Sequence, residues 1–495
     1  MLKKYALTAG AGVVLLVTLM TLRTFGLGAP PSGEVKPLAQ VASAYDRTGI
    51  ADRVSAAIQI RTISLARTAP TNAPAFAAFA DLLEASYPAA HAKMHRERVN
   101  RHSLLFRWQG SDQTLPPIGF LAHMDVVPVE PGTEDEWAHH PFGGVIADGR
   151  VYGRGALDNK GQLIAIMEAV ERLAVTGFKP ARDVYLFFGH DEEIGGLRGA
   201  NEIAKLLKSR GVNLSFTLDE GSGVVDGIIP GARGPIALIA TAEKGYVNLN
   251  MTARADGGHS STPGRETAVS RAGRAVVTLI DNPHPAELDE NVIAFLHGIA
   301  PAMPFPMRFA LANLWITGPA VSSMLVKSPV TAASLRTTTA PTIINGGVKA
   351  NILPQTASAV VNYRVHPRDT VEGVKSRAEK LINDPFVTVD LTTGAPASPQ
   401  SSVTSDGYRA IVTTTADIYG GIASAPSLTL QGTDTKHFVS IANDNYRFTP
   451  FIYQKEDLGR IHGTDEFVEI DTLLRAASWY EAFIRRTAGP SPRDD

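Results

Sequence analysis

The chain of 495 residues contains no cysteine. That absence removes disulfide scaffolds, zinc-thiolate centres and thiol nucleophiles together. It leaves the compartment open, because reducing and oxidising spaces both tolerate a chain without thiols. Strong net charge is missing as well: 47 basic against 49 acidic residues leave −2, too weak a positive field to hold a nucleic acid. What remains is ordinary for a soluble enzyme, with 44% hydrophobic and 19% charged residues. The length exceeds what one hydrophobic core usually serves, so two domains, or one carrying a large insertion, are expected.

At the N-terminus, Lys3 and Lys4 precede an apolar stretch from Tyr5 to Leu22 that ends at Arg23. Residues 1–25 therefore read as a secretory signal or a single membrane anchor, and the chain as secreted or membrane-anchored on the extracytoplasmic side. No small-x-small cleavage site follows, and a stretch of about 18 residues is at the lower limit for spanning a bilayer, which tilts the reading to an uncleaved anchor. Residues 26–40, rich in Gly and Pro, read as linker. Residues 488–495, "AGPSPRDD", read as a disordered tail.

The middle of the chain alternates regularly. "PIGFLA" (117–122), "VYLFF" (184–188) and "NLSFTL" (213–218) are short strands without a polar face. Between them, Leu163, Ile166, Met167, Val170 and Leu173 share one helical face closed by Gly177, and Ile203, Leu206 and Leu207 mark a second helix ending at Gly211. Continuous apolar strands separated by amphipathic helices predict a mostly parallel sheet covered on both faces. In such sheets, sites form beyond the carboxyl ends of the strands.

Each of those strands ends in a polar cluster: "HMD" (123–125), "HDEE" (190–193) and "DEG" (219–221). Carboxylates and imidazoles converging without thiols describe a divalent metal site, with zinc the leading candidate. His123 and Asp125, two apart on an extended chain, point the same way. The imidazole can then bind metal while the carboxylate orients it from behind. Glu192 and Glu193, being adjacent, diverge, so one can ligate while the other stands off the metal as a general base. Read from the residues alone, Asp158 is a helix cap and His462 a loop residue. His139, His140, His190 and His437 read as loop or packing histidines.

Six ordered motifs carry a resemblance: "FLAHMDVVPV" (120–129), "YGRGALDNKG" (152–161), "GHDEEIGG" (189–196), "LDEG" (218–221), "GGHSSTP" (257–263) and "RIHGTDE" (460–466). Together the chain resembles, over roughly residues 40–485, the aminoacylase and carboxypeptidase family of two-zinc metallopeptidases. "IALIATAEKGYVNL", "SLRTTTAPTI", "GVKANILP" and "VNYRVHP" are similar to its branch of carboxypeptidase S (Gly-X carboxypeptidase) and N-fatty-acyl-amino-acid synthase/hydrolase. The resemblance implies two zinc ions per subunit. It makes His123 a ligand of one ion with Asp125 behind it, Asp158 the bridge, Glu193 and His462 ligands of the other, and Glu192 the general base. Of Asp219 and Glu220, one completes the ligand set, and the resemblance leaves both open.

Residues 244–398 read as an inserted ferredoxin-like α+β layer in β-α-β-β-α-β order, similar to the family's lid. Residues 41–243 and 399–487 then form the catalytic domain. Within the lid, Pro283 to Lys327 is a further insertion whose apolar content is expected to pack on the lid, a greasy substrate channel being the other use. Three lid residues are candidate substrate contacts: His259 as a donor to the developing oxyanion, and Asn351 and Arg364 as partners of a substrate carboxylate. The resemblance also allows a homodimer through the lid. Three functions are weighed. They are an amide hydrolase of small peptides or N-acyl amino acids, the same site condensing fatty acids with amino acids, and a non-catalytic metal-binding protein. An off-metal Glu192 argues against the last.

Overall fold

The computed structural model describes residues 2–28 and 31–490, with side chains described from residue 11 onward. Of the tail expected at 488–495, residues 491–495 lie outside the described residues. Eight strands form the central sheet, in the order His95–Val99, Ser103–Trp108, Val184–Gly189, Ile118–His123, Leu214–Val225, Ala442–Tyr453, Ile236–Glu243 and Ala423–Thr429. Ile118–His123 runs parallel to both neighbours, Leu214–Val225 parallel to Ala442–Tyr453, and Ile236–Glu243 parallel to Ala423–Thr429. The first two strands join antiparallel at one edge.

Every residue of Ile118–His123 and of Val184–Gly189 is buried, because helices cover both faces of the sheet. Phe120, Leu186 and Phe188 share a core with Leu163 and Val170 of helix Lys160–Val175 and with Trp479 and Phe483 of helix Ile470–Ala488. The alternate residues Leu121, Tyr185 and Phe187 meet Ile203 and Leu207 of helix Ala200–Ser209 on the other side. The parallel register sets His123 opposite Gly189 and Phe120 opposite Leu218. The three polar clusters therefore leave the sheet along one edge.

A second sheet is built from Gly245–Arg254, Thr338–Gly346, Thr356–Val365 and Val387–Ala395, with helices Ala268–Asp281 and Val371–Ile382. All its pairings are antiparallel, in the order Thr338–Gly346, Thr356–Val365, Gly245–Arg254, Val387–Ala395. This is the β-α-β-β-α-β ferredoxin-like arrangement. Val247, Leu249 and Met251 alternate inward along their strand and pack with Leu279 and Val374 of the two helices.

The insertion departs from expectation. It folds into helices Glu290–Ile299, Phe305–Ala312 and Leu314–Leu325, and helix Pro329–Leu335 follows it. Val292, Leu296 and Ile299 do not pack on the lid core; they join Ile236, Ala423 and Ala425 at the far edge of the central sheet. Composition could announce apolar helices but not which open sheet edge they cover. Gly298 permits the approach, since a Cβ there would stand 2.6 Å from that of Ala425. Gly298→Leu is expected to cost about 1–3 kcal/mol by overpacking. The check is a lower thermal midpoint with an unchanged turnover rate well below the transition.

The N-terminal helix spans Leu2–Gly26, and its last turns rest on the insertion through buried Met20 and Thr24. Among the described residues no helix is long and apolar enough to cross a membrane. The described part of the Gly- and Pro-rich segment is pinned to the body: Gly33 donates to the Gly421 carbonyl at 3.3 Å and Lys36 to that of Tyr419 at 3.0 Å.

Candidate metal centre

His123, the last residue of its strand, is buried with its imidazole held in place on both sides. Nδ1 lies 2.9 Å from the backbone carbonyl of Asp125 and 3.4 Å from its carboxylate. The carbonyl is thus the nearer partner, where the sequence suggested the carboxylate. Either one presents Nε2 outward, and Nε2 lies 2.9 Å from Asp158 Oδ1 and 3.2 Å from Glu220 Oε1. The other oxygen of Asp158 meets His462 Nε2 at 3.0 Å, and that nitrogen is 3.1 Å from Glu193 Oε2. The ligand atoms of His123, Asp158 and Glu220, and those of Asp158, Glu193 and His462, lie within 4.8 Å of one another in each triad. Asp158 belongs to both triads and offers each a different oxygen.

Asp158 is not a helix cap. Helix Lys160–Val175 begins after Asn159, which makes no side-chain cap, and this frees the Asp158 carboxylate for the two imidazoles. Between the paired alternatives, the structure brings Glu220 to the cluster and turns Asp219 away. Asp219 Oδ2 accepts from Thr435 N and Oγ1 at 2.9 and 2.5 Å, and Oδ1 from Glu220 N at 2.9 Å. Neighbours on an extended strand face opposite sides, so only one of the two can reach the imidazole. Asp219→Asn is expected to leave metal content unchanged while costing about 1–3 kcal/mol, because the new amide faces donors it cannot accept from. Glu220→Gln is expected to lower metal retention; metal analysis beside thermal unfolding separates the two.

The remaining carboxylate oxygens have partners that hold each group in place, an arrangement that orients ligands. Asn159 Nδ2 donates to Glu220 Oε2 at 2.7 Å, and Val127 N to Glu193 Oε1 at 3.2 Å. Asp125 accepts from the backbone N–H groups of Glu192 and Glu193 at 3.1 and 3.2 Å. It therefore both backs His123 and shapes the Glu192–Ile194 turn, which closes at Gly195 with φ +104° in the left-handed region. Glu466 closes the motif "RIHGTDE", and nothing in the sequence around it announces a role. It is fully buried, pairs with Arg154 at 2.7 Å, and accepts from the N–H groups of Gly155, Leu157 and Asp158 at 3.0, 2.8 and 3.1 Å. It holds the turn that aims Asp158, and deleting either member of so buried a pair costs about 3–5 kcal/mol.

Charge in this cluster is unbalanced. Burial, then the charge of Asp158, pushes the Glu193 and Glu220 carboxyls up to about 7, with Asp219 adding to the push on Glu220. Hydrogen bonds to Asp158 and Glu193 push His462 up to about 10. Burial works against charge on His123, yet Glu220, Asp125 and Asp158 carry it well above the usual imidazole range. Burial, with Glu220, Asp434 and Glu193 nearby, raises Glu192 well above the carboxylate range. Crowded carboxylates around two imidazoles, with oxygen and nitrogen donors only, are the donor set of hard-to-borderline divalent cations.

The lid candidates lie apart from this cluster. His259 is exposed on a short strand paired with Ile352, next to Asn351, and its Nδ1 lies 2.7 Å from Ser261 Oγ. Arg364 is exposed, and among the described residues no carboxylate pairs with it. No hydrogen bond joins His259, Asn351 or Arg364 to the metal cluster among the described residues. The histidines read as packing residues do pack: His190 Nδ1 meets Ser103 Oγ at 2.6 Å and His437 Nε2 the Gly195 carbonyl at 3.0 Å.

The sequence profile of peptidase family M20/M25/M40 matches residues 119–486, which hold both triads. The chain belongs to peptidase family M20/M25/M40. Within the family it is similar to the N-fatty-acyl-amino acid synthase/hydrolase of Xenopus tropicalis, 36% identical over 488 residues covering 96% of this chain and 93% of that one. It is also similar to the probable carboxypeptidase S-like 2 of Dictyostelium discoideum, 35% identical over 443 residues covering 88% and 85%. Among solved structures, the M20 family metallo-carboxypeptidase of Sulfolobus solfataricus shares its fold at a TM-score of 0.61 and 18% identity, covering 87% of this chain and 97% of that one. This M20 chain is an enzyme, a hydrolase of the metallopeptidase class.

Proposed function

We propose that the chain is a two-zinc amidohydrolase that cleaves the amide bond of small peptides at their C-terminal residue or of N-acyl amino acids. The observation that carries this is the sharing of Asp158 between two ligand triads with Glu192 beside them but in neither. His123, Asp158 and Glu220 would hold one ion, and Asp158, Glu193 and His462 the other. Bound divalent cations supply carbonyl polarisation and lower the pKa of water from about 15.7 toward about 7. The chain's own residues do the rest. Asp125 sets the Glu192–Glu193 turn, and Glu192 takes a proton from the attacking water as its oxygen bonds to the carbonyl carbon. Glu192 then delivers that proton to the amine nitrogen as the C–N bond breaks.

Residues 41–243 and 399–487 form the catalytic domain in this reading, and 244–398 the lid. His259 donates to the oxyanion, while Asn351 and Arg364 hold the substrate's free carboxylate when the lid closes. An unpaired Arg364 is free for that role. The exposed lid strand Thr338–Gly346, with Ile343 and Ile344 outward, supports a homodimer formed through the lid. The N-terminal segment directs the chain to the extracytoplasmic side.

Relatives that carry both hydrolase and synthase in their names favour a second reading, in which the same residues run the reaction toward condensation. Glu192 would then take its proton from the amine and return it as water leaves, so substrate concentration and not the residue set decides direction. The test is a panel of Gly-X dipeptides and long-chain N-acyl amino acids, assayed with and without chelator. The expected result is activity abolished by chelation, restored by zinc, and concentrated on one of the two classes. Full turnover in metal-stripped protein would overturn the reading.

A further inference from the structure

We propose that the insertion helices and the end of the N-terminal helix form one docking face for a lipid bilayer bearing anionic headgroups. The two segments lie almost 300 residues apart in sequence and are joined by polar ties. Arg308 donates to the carbonyls of Thr24, at 3.1 Å, and Gly28, and Asn313 donates to that of Met20 at 3.1 Å. The bond to Thr24 satisfies a carbonyl of the last turn, which has no partner within the helix, and the three together seat the helix end on the insertion. Apolar contacts continue the joint: Phe25 and Phe305 have ring centroids 6.4 Å apart, and the Arg23 guanidinium lies 5.9 Å from the centre of the Trp315 ring.

The outer side of this joint is apolar and uncovered. Phe305, Trp315, Ile316 and Met324 are exposed on the insertion, and Leu22 and Phe25 on the helix. Further toward the N-terminus, residues 11–19 of the helix are exposed on every side. The inner side of the insertion, by contrast, is filled by its contacts with Ile236 and Ala425.

Charge identifies the occupant. Neither residues 1–33 nor residues 291–368 contain Asp or Glu, and the insertion's three acids, Glu287, Asp289 and Glu290, all precede helices Phe305–Ala312 and Leu314–Leu325, which carry its exposed apolar side chains. Of the basic residues on this joint, Arg23 and Lys327 are exposed, while Arg308 is buried and occupied in holding the helix end. A second copy docking through this face would meet itself, as a two-fold contact requires, and would set positive charge against positive charge. An anionic leaflet instead attracts Arg23 and Lys327, takes apolar helix faces into its headgroup boundary, and holds Trp and Phe at the interface. No membrane-crossing helix is needed, because the face lies along the leaflet.

Trp315 provides the readout. Of the four tryptophans, Trp108, Trp137 and Trp479 are buried and Trp315 is 51% exposed. The experiment mixes the full chain with vesicles of phosphatidylcholine alone or of phosphatidylcholine with phosphatidylglycerol, some made with brominated acyl chains. The expected result is flotation with the anionic vesicles and quenching of tryptophan emission by the brominated lipid. Trp315→Phe should remove the quenching while flotation persists. The double variant Phe305→Asp with Ile316→Asp should reduce the bound fraction by about tenfold and keep its hydrolytic rate in solution, which shows that it is folded. Flotation without quenching would mean the N-terminal helix attaches alone, and that overturns the proposal. So would equal binding to uncharged vesicles, or self-association on light scattering with no vesicle binding.

Discussion

Glu192→Gln is expected to lower kcat by about 10²–10⁴-fold, the usual contribution of a positioned general base, while the protein keeps its full metal content. The amide is nearly isosteric with the carboxylate and cannot accept the proton of the attacking water. Metal retention follows from placement, because neither ligand triad includes Glu192. The backbone of the turn stays put as well, since Asp125 grips the N–H groups of residues 192 and 193 and not their side chains. Burial and the surrounding carboxylates raise the Glu192 carboxyl well above its ordinary range, which suits a group that must first take and then return a proton. The decisive measurement pairs metal analysis with steady-state rates on one preparation. Loss of metal together with activity would exchange the roles assigned to the two glutamates.

How far the sequence could be read depends on the distance over which each residue acts. His123, Glu192 and Glu193 were legible because each sits at the end of an apolar strand, where a charge cluster has no structural use and parallel topology gathers it with others. The ferredoxin-like order of the lid was legible from alternation such as that of Gly245–Arg254, whose inward residues follow period two. The choice between Asp219 and Glu220 was not. Adjacent strand residues are told apart only by which face meets the imidazole, and that depends on Thr435 accommodating Asp219 from more than 200 positions away. The roles of Glu466 and Asn159 are hidden from the sequence for the same reason. Their partners become neighbours only in the fold, 308 positions away for Glu466 and Asp158, and 61 for Asn159 and Glu220. The insertion shows the opposite limit: its helices were apolar by composition, but the sheet edge they cover is a property of the tertiary structure.

Asp158→Ala and His462→Ala are expected to differ in stoichiometry, not merely in degree. Asp158 gives Oδ1 to the triad with His123 and Glu220 and Oδ2 to the triad with Glu193 and His462. Removing it strips both metal positions of an anionic donor. Affinity should fall by more than the roughly 10–100-fold that follows loss of an orienting partner alone, and bound metal should approach zero. His462→Ala leaves His123, Asp158 and Glu220 complete, so half the metal should remain after dialysis, with hydrolysis still abolished. His462 holds its place at a φ of +61°, a backbone conformation that costs a non-glycine residue of order 1–3 kcal/mol. The alanine variant relieves none of that strain, so any loss of metal reflects the missing imidazole and not a relaxed loop. Equal metal loss in both variants would mean that Asp158 does not serve two positions through separate oxygens. Full metal content in the Asp158 variant would remove the bridge, and with it the two-metal arrangement on which hydrolysis rests.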